Sequence, residues 1–196
     1  QQEQNSRIMI HCKLEPQKNL IGGTFMSIFS LFKSRSKTKH KSIVIESKYG
    51  IFTSHKFGKN GVVFDGKINW LDDIVDVSLH PSSTESLMAD KSLEILCKIA
   101  ENATEWDKKL RQYGADEFSD DNGMIEIWGN DENNNDNLPQ TITKDEFISR
   151  ISLGFMWIYP DGKVYFDYNL DEMFTDHGLG ITANISGEII SCGLQG

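Results

Sequence analysis

From Ile151 to Gly196 the chain alternates strand-like segments with tight-turn signals, and this pattern constrains the fold more than anything before it. Leu153, Phe155, Trp157 and Tyr159 recur at every second position, the period of a strand. Pro160-Asp161-Gly162 and Ser186-Gly187 supply the residues that hairpin turns require. A C-terminal β-meander follows, with tight turns at those two places. Its middle connection, Asp171-Glu172-Met173-Phe174-Thr175-Asp176-His177, concentrates carboxylates and an imidazole in a few residues.

The first half is also strand-rich. Arg7 to Cys12, residues 43–53, Val62 to Trp70 and Ile74 to Leu79 each read as strand, with Gly58, Gly61 and Gly66 as turn residues. A helix is expected from Pro81 onward, with Ser82 and Glu85 as a capping box and Ala89, Leu93, Leu96, Cys97 and Ala100 as its apolar stripe. A second helix carries Trp106, Leu110 and Tyr113 inward and Asp107, Lys108, Lys109 and Arg111 on its outer face. Residues 116–140 are acidic and Asn-rich, with Met124 to Trp128 as an apolar island and Asp131 to Asn137 as a surface loop. Thr143 and Glu146 form a second capping box, opening a short helix with Phe147 and Ile148. All four tryptophans sit in apolar contexts and read as core. The fold class is α+β, with antiparallel sheets, central helices and the C-terminal meander. Residues 1–42 form an N-terminal strand followed by an apolar and basic segment, and residues 43–196 form one α+β domain.

Charge is unevenly distributed. Residues 1–68 hold twelve Lys/Arg against four Asp/Glu, a net of +8; the remainder hold eight against twenty-five, a net of −17. The overall −9 argues against a nucleic-acid partner, because phosphate binding needs a basic face. It favours a protein partner with a basic surface. The apolar run Leu20 to Phe32 precedes five cations, Lys33, Arg35, Lys37, Lys39 and Lys41. Membrane contact through residues 20–41 is disfavoured because the run is short and lacks a polar face. Cys12, Cys97 and Cys192 have no metal-binding spacing, so buried free thiols in a reducing cytoplasm are expected. The first residue is Gln1 rather than Met, which leaves room for a processed N-terminus.

The strongest candidate for chemistry is the set Asp167, Asp171, Glu172, Asp176 and His177. Carboxylates beside an imidazole suit acid–base work or a divalent cation. Asp167-Tyr168-Asn169-Leu170-Asp171 copies the opening of a calcium loop, but the sixth position is Glu172 and the twelfth Gly178, where Gly and Glu are required. No metal or cofactor is therefore expected. No phosphate-binding Gly loop, nucleophile elbow or zinc motif is present.

Several segments resemble, in order, an uncharacterised bacterial family, domain of unknown function 2262. They are Tyr49-Gly50-Ile51-Phe52-Thr53, Ile68-Asn69-Trp70, Val75 to Leu79, Trp106-Asp107-Lys108-Lys109 and Ile142 to Phe147. The closing segment with Phe166, Asp171-Glu172, Phe174 and His177 completes the set. The resemblance covers residues 43–196 and implies a bacterial cytoplasmic protein without an established activity. Related small acidic proteins with such meanders resemble immunity or partner-binding proteins of toxin systems. The leading expectation is thus a non-enzymatic, immunity-type binding module whose acidic surface covers a basic partner such as a toxin. The alternative is a hydrolase or metal-dependent enzyme using Asp171, Asp176 and His177.

Overall fold

The computed structural model describes residues 6–9, 42–59, 61–82, 88–128 and 140–196. The expected features at residues 10–12, 20–41, 83–87 and 131–137 lie outside these residues. Strands β1 (Ser6–Met9), β2 (Ile43–Glu46), β3 (Ile51–Phe57), β4 (Gly61–Trp70) and β5 (Asp73–Leu79) come first. Helices α1 (Asp90–Ala100) and α2 (Ala103–Phe118) follow, then strands β6 (Met124–Ile127) and β7 (Gln140–Thr143) and helix α3 (Lys144–Arg150). Strands β8 (Ser152–Ile158), β9 (Lys163–Asn169), β10 (Gly178–Asn184) and β11 (Ile189–Gln195) close the chain.

Among the described residues, nine strands form one sheet in the order β1-β2-β3-β4-β5-β8-β9-β10-β11, and β6 and β7 form a separate ribbon. The fold is sheet-rich α+β, with three helices among the described residues. The nine-stranded sheet departs from the expected antiparallel arrangement in being mixed. β1 runs parallel to β2, and β5 runs parallel to β8. The β5–β8 pairing follows from the connection: three helices and a ribbon lie between those strands, and a long crossover returns the chain in the same direction. From β8 to β11 each strand pairs antiparallel with the one before. Gly162 (φ 95°) and Gly187 (φ 86°) sit at the two anticipated turns, in a conformation that a side chain strains.

Five sequence expectations need correction. Residues 43–53 are two strands, because Ser47 N–H donates to Gly50 O (2.9 Å) and closes a turn between them. At Gly50 a Cβ would stand 2.4 Å from Lys67 O, so that turn needs a glycine. In β8 the register shifts between Leu153 and Phe155. This bulge at Gly154 moves burial to Leu153, Met156 and Ile158, leaving Phe155, Trp157 and Tyr159 on the opposite face. On α2 the inward stripe is Asp107, Leu110, Gly114 and Ala115, while Tyr113 is exposed. Only Trp70 of the tryptophans is fully buried; Trp128 is 53% and Trp157 38% exposed. Cys97 is disulfide-bonded rather than a free thiol, and Cys192 is free. The thiol argument for a reducing compartment therefore does not hold for Cys97.

The helices cover one face of the sheet. Trp106 stacks on Phe166 (5.8 Å between centroids), and a Cβ at Gly114 would stand 2.8 Å from Leu179. α1 buries Leu93, Ile95, Leu96, Cys97 and Ile99; it begins at Asp90 rather than at Pro81 as expected, and its N-cap residue Ala89 makes no side-chain cap in place of the expected Ser82. α3 starts as expected, with Thr143 accepting from Glu146 N–H (3.2 Å). No helix among the described residues is long and apolar enough to cross a membrane.

Candidate functional site

The connection between β9 and β10, Leu170–His177, is held in a strained form. Asp171, Glu172 and Thr175 all have positive φ (49°, 59° and 60°) without being glycine. Such residues cost about 1 kcal/mol or more each and persist where the surroundings fix them. Here the surroundings do. Arg150 at the end of α3 donates to Asp171 Oδ2 (2.9 Å) and to the Asp171 carbonyl (3.1 Å). Asn169 Oδ1 accepts from Asp171 N–H (2.9 Å). Trp128 N–H donates to Met173 O (2.9 Å). Met173 and Phe174 are buried, and the Phe174 ring meets Phe118, Phe147 and Trp128. Two apolar anchors and one guanidinium thus turn the polar residues of the connection outward.

Those residues wall an open cavity of about 610 Å³ on the sheet face away from the helices. Its floor includes Gly154, Gly178 and Asn169; its sides include Tyr165, Asp167, Glu172, Thr175, Asp176, His177 and Gln195. Of the sequence candidates, Asp167, Glu172, Asp176 and His177 meet there. Asp171 does not, since its carboxylate is paired with Arg150. Tyr165, Thr175 and Gln195 carried no sequence signal; their period-2 alternation with buried neighbours is the only feature that places Tyr165 and Asp167 on one face.

The imidazole of His177 is committed on one side. Its Nδ1 lies 3.1 Å from Phe174 O and 3.1 Å from Thr175 Oγ1, with Asp176 Oδ1 at 3.5 Å. A carbonyl only accepts, so Nδ1 carries the proton and neutral His177 presents Nε2 as an acceptor. Asp167 differs from the other carboxylates. It is half-buried, and among the described residues no hydrogen bond or ion pair to it is found; burial raises its carboxyl above the ordinary 3.8. Its Oδ1 leans over β10, 3.1 Å from where a Cβ on Gly178 would stand. Burial also raises the Tyr165 phenol, helped by the charge of Asp167.

Among the described residues no three of His, Cys, Asp and Glu converge as a metal site requires. A His–Asp–Ser contact lies on the same sheet face: His55 Nε2 is 3.2 Å from Asp65 Oδ2, and Ser78 Oγ donates to Asp65 Oδ1. The hydroxyl there meets the carboxylate instead of the imidazole, so it is not a nucleophile–base relay.

The model of a family described as an uncharacterized protein conserved in bacteria, DUF2262, matches residues 50–194. That is well over half of the chain, and the chain belongs to this family. No curated protein and no solved structure matches it.

Proposed function

We propose that this DUF2262 member is a protein-binding module of immunity type, whose acidic cavity receives a cationic side chain of a basic partner. The observation that carries this is Asp167. A half-buried carboxylate without a cation beside it is costly, and an incoming ammonium or guanidinium would offset that cost. Glu172 and Asp176 on the same cavity add negative potential, which speeds encounter and selects for positive partners. The strained connection fits the same use, since rigid walls lose little entropy on binding.

The enzyme reading keeps one observation in its favour: Asp167, with its raised carboxyl value, shares a cavity with His177, as an acid–base pair would. Against it, the set Asp171, Asp176 and His177 is split by the Arg150–Asp171 pair.

Calorimetric titration with arginine amide tests the binding reading. Weak binding by the full chain that Asp167→Asn reduces at least fivefold supports it. Equal binding by both proteins refutes it.

A further inference from the structure

Strand β11 ends the sheet. One of its edges pairs with β10; among the described residues no strand pairs with the other. An open edge presents a row of unpaired backbone donors and acceptors, and proteins usually protect it with charge, proline or brevity. The seven residues of β11, Ile189 to Gln195, include no charged residue and no proline; the strand's one irregularity is a bulge at Ile190, where the register against β10 shifts, which leaves Ser191 to Gln195 as the regular open edge. Cys192 and Leu194 pair with the core residues Ile181 and Leu179, so their side of the strand continues the apolar helix-side layer. Ile190 is 52% exposed. On the other side Gly193 has nothing within 4 Å of where a Cβ would stand, and Gln195 borders the acidic cavity.

We propose that β11 is a docking edge for an extended segment of a partner protein, which pairs with it as a tenth strand and alternates apolar with cationic side chains. This rests on the binding role given to the cavity. The alternation follows from the two faces of an added strand. Its apolar side chains would extend the layer of Cys192 and Leu194. Its cations would lie on the cavity side.

Reach decides whether one strand can use both features. The added strand would run two inter-strand spacings from β10, roughly 9.6 Å. The Asp167 carboxylate already leans over β10 at Gly178, and Gly178 stands opposite Gln195 of β11. A lysine or arginine stem extended across β11 covers most of the distance, and the length of an ion pair closes the rest. The Gln195 stem leans over Gly180 instead, where its Cγ is 2.8 Å from a Cβ position, so it does not cover Gly178.

Charge chooses between occupants. Glu117 acts on the Cys192 thiol from α2, Glu188 precedes the strand, Asp167 stands two strands in at the level of Gly193, and Glu172 and Asp176 lie on the connection before β10; against these, Lys109 donates to Gly187 O (2.6 Å) ahead of the strand. A second copy pairing edge to edge would bring acid against acid, whereas a cationic segment meets its opposite.

The test uses a capped octapeptide alternating arginine and valine, titrated into the full chain at low salt. Two further forms carry backbone N-methyl groups, one on every valine and one on every arginine. Each blocks a single edge of the extended peptide, because alternate amides point to opposite edges. Strand addition predicts that one form loses at least tenfold in affinity and the other stays within twofold of the parent. Both forms binding like the parent, with Asp167→Asn still weakening the peptide, would overturn strand addition and leave the cavity reading standing. Failure of both the peptide and arginine amide to bind would remove both. Self-association of the chain that excess peptide does not reverse would assign the edge to a second copy and overturn the inference.

Discussion

Asp107 Oδ1 accepts from Trp70 Nε1 at 3.2 Å, tying α2 to the sheet across the core. The same carboxylate accepts from Tyr168 O–H (3.3 Å) and, through Oδ2, from Arg111 Nε (2.6 Å). Arg111 then donates to the carbonyls of Ile148 and Ile151. One buried ion pair therefore joins α2, β4, β9 and the end of α3. Burial, first, and the nearby Asp107 charge hold the Tyr168 phenol well above its usual value.

Asp107→Ala should be among the most destabilising single substitutions, at about 3–5 kcal/mol, because it strands the Arg111 charge and two donors. Urea unfolding measures it. A loss below about 1 kcal/mol would mean that water or another acceptor replaces the carboxylate.

This network is also where sequence and structure part most instructively. Asp107 and Arg111 look like an outer helix face, since charge usually marks solvent. Their burial depends on Trp70 and Tyr168, which arrive from distant strands and leave no local trace. The β8 phase fails for a similar reason: the bulge at Gly154 shifts every later side chain to the other face, and a lone glycine does not reveal it. What was legible was local: the turns at Gly162 and Gly187, the Thr143 cap, and the burial of Leu93 and Leu96. At the site, Asp167, Asp176 and His177 stood out as a cluster, but the diversion of Asp171 to Arg150 was not readable, because the partner lies 21 positions away.

Leu96 is fully buried on α1. Leu96→Ala should cost about 2–5 kcal/mol through lost transfer energy and the cavity left behind. Thermal or urea unfolding would show it, and a loss under about 0.5 kcal/mol would mean the helix repacks freely.

Asp167→Asn should stabilise the free protein at neutral pH. A carboxyl raised by burial favours its protonated form in the folded state. Its contribution to stability is complete below the ordinary 3.8 and is lost as pH rises through the higher folded value. The melting temperature of the variant should exceed that of the parent at pH 7, and the gap should close below about pH 4. A variant less stable at pH 7 would mean that the carboxylate makes a stabilising contact. A site residue whose removal stabilises the fold is held for function.

The most direct measurement is a pH titration of the Asp167 carboxyl carbon by NMR, with and without arginine amide. The account predicts a midpoint above 3.8 in the free protein and a downward move when the cation binds, since a nearby positive charge favours the ionised form. A midpoint at or below the ordinary value, unmoved by saturating arginine amide, would contradict it.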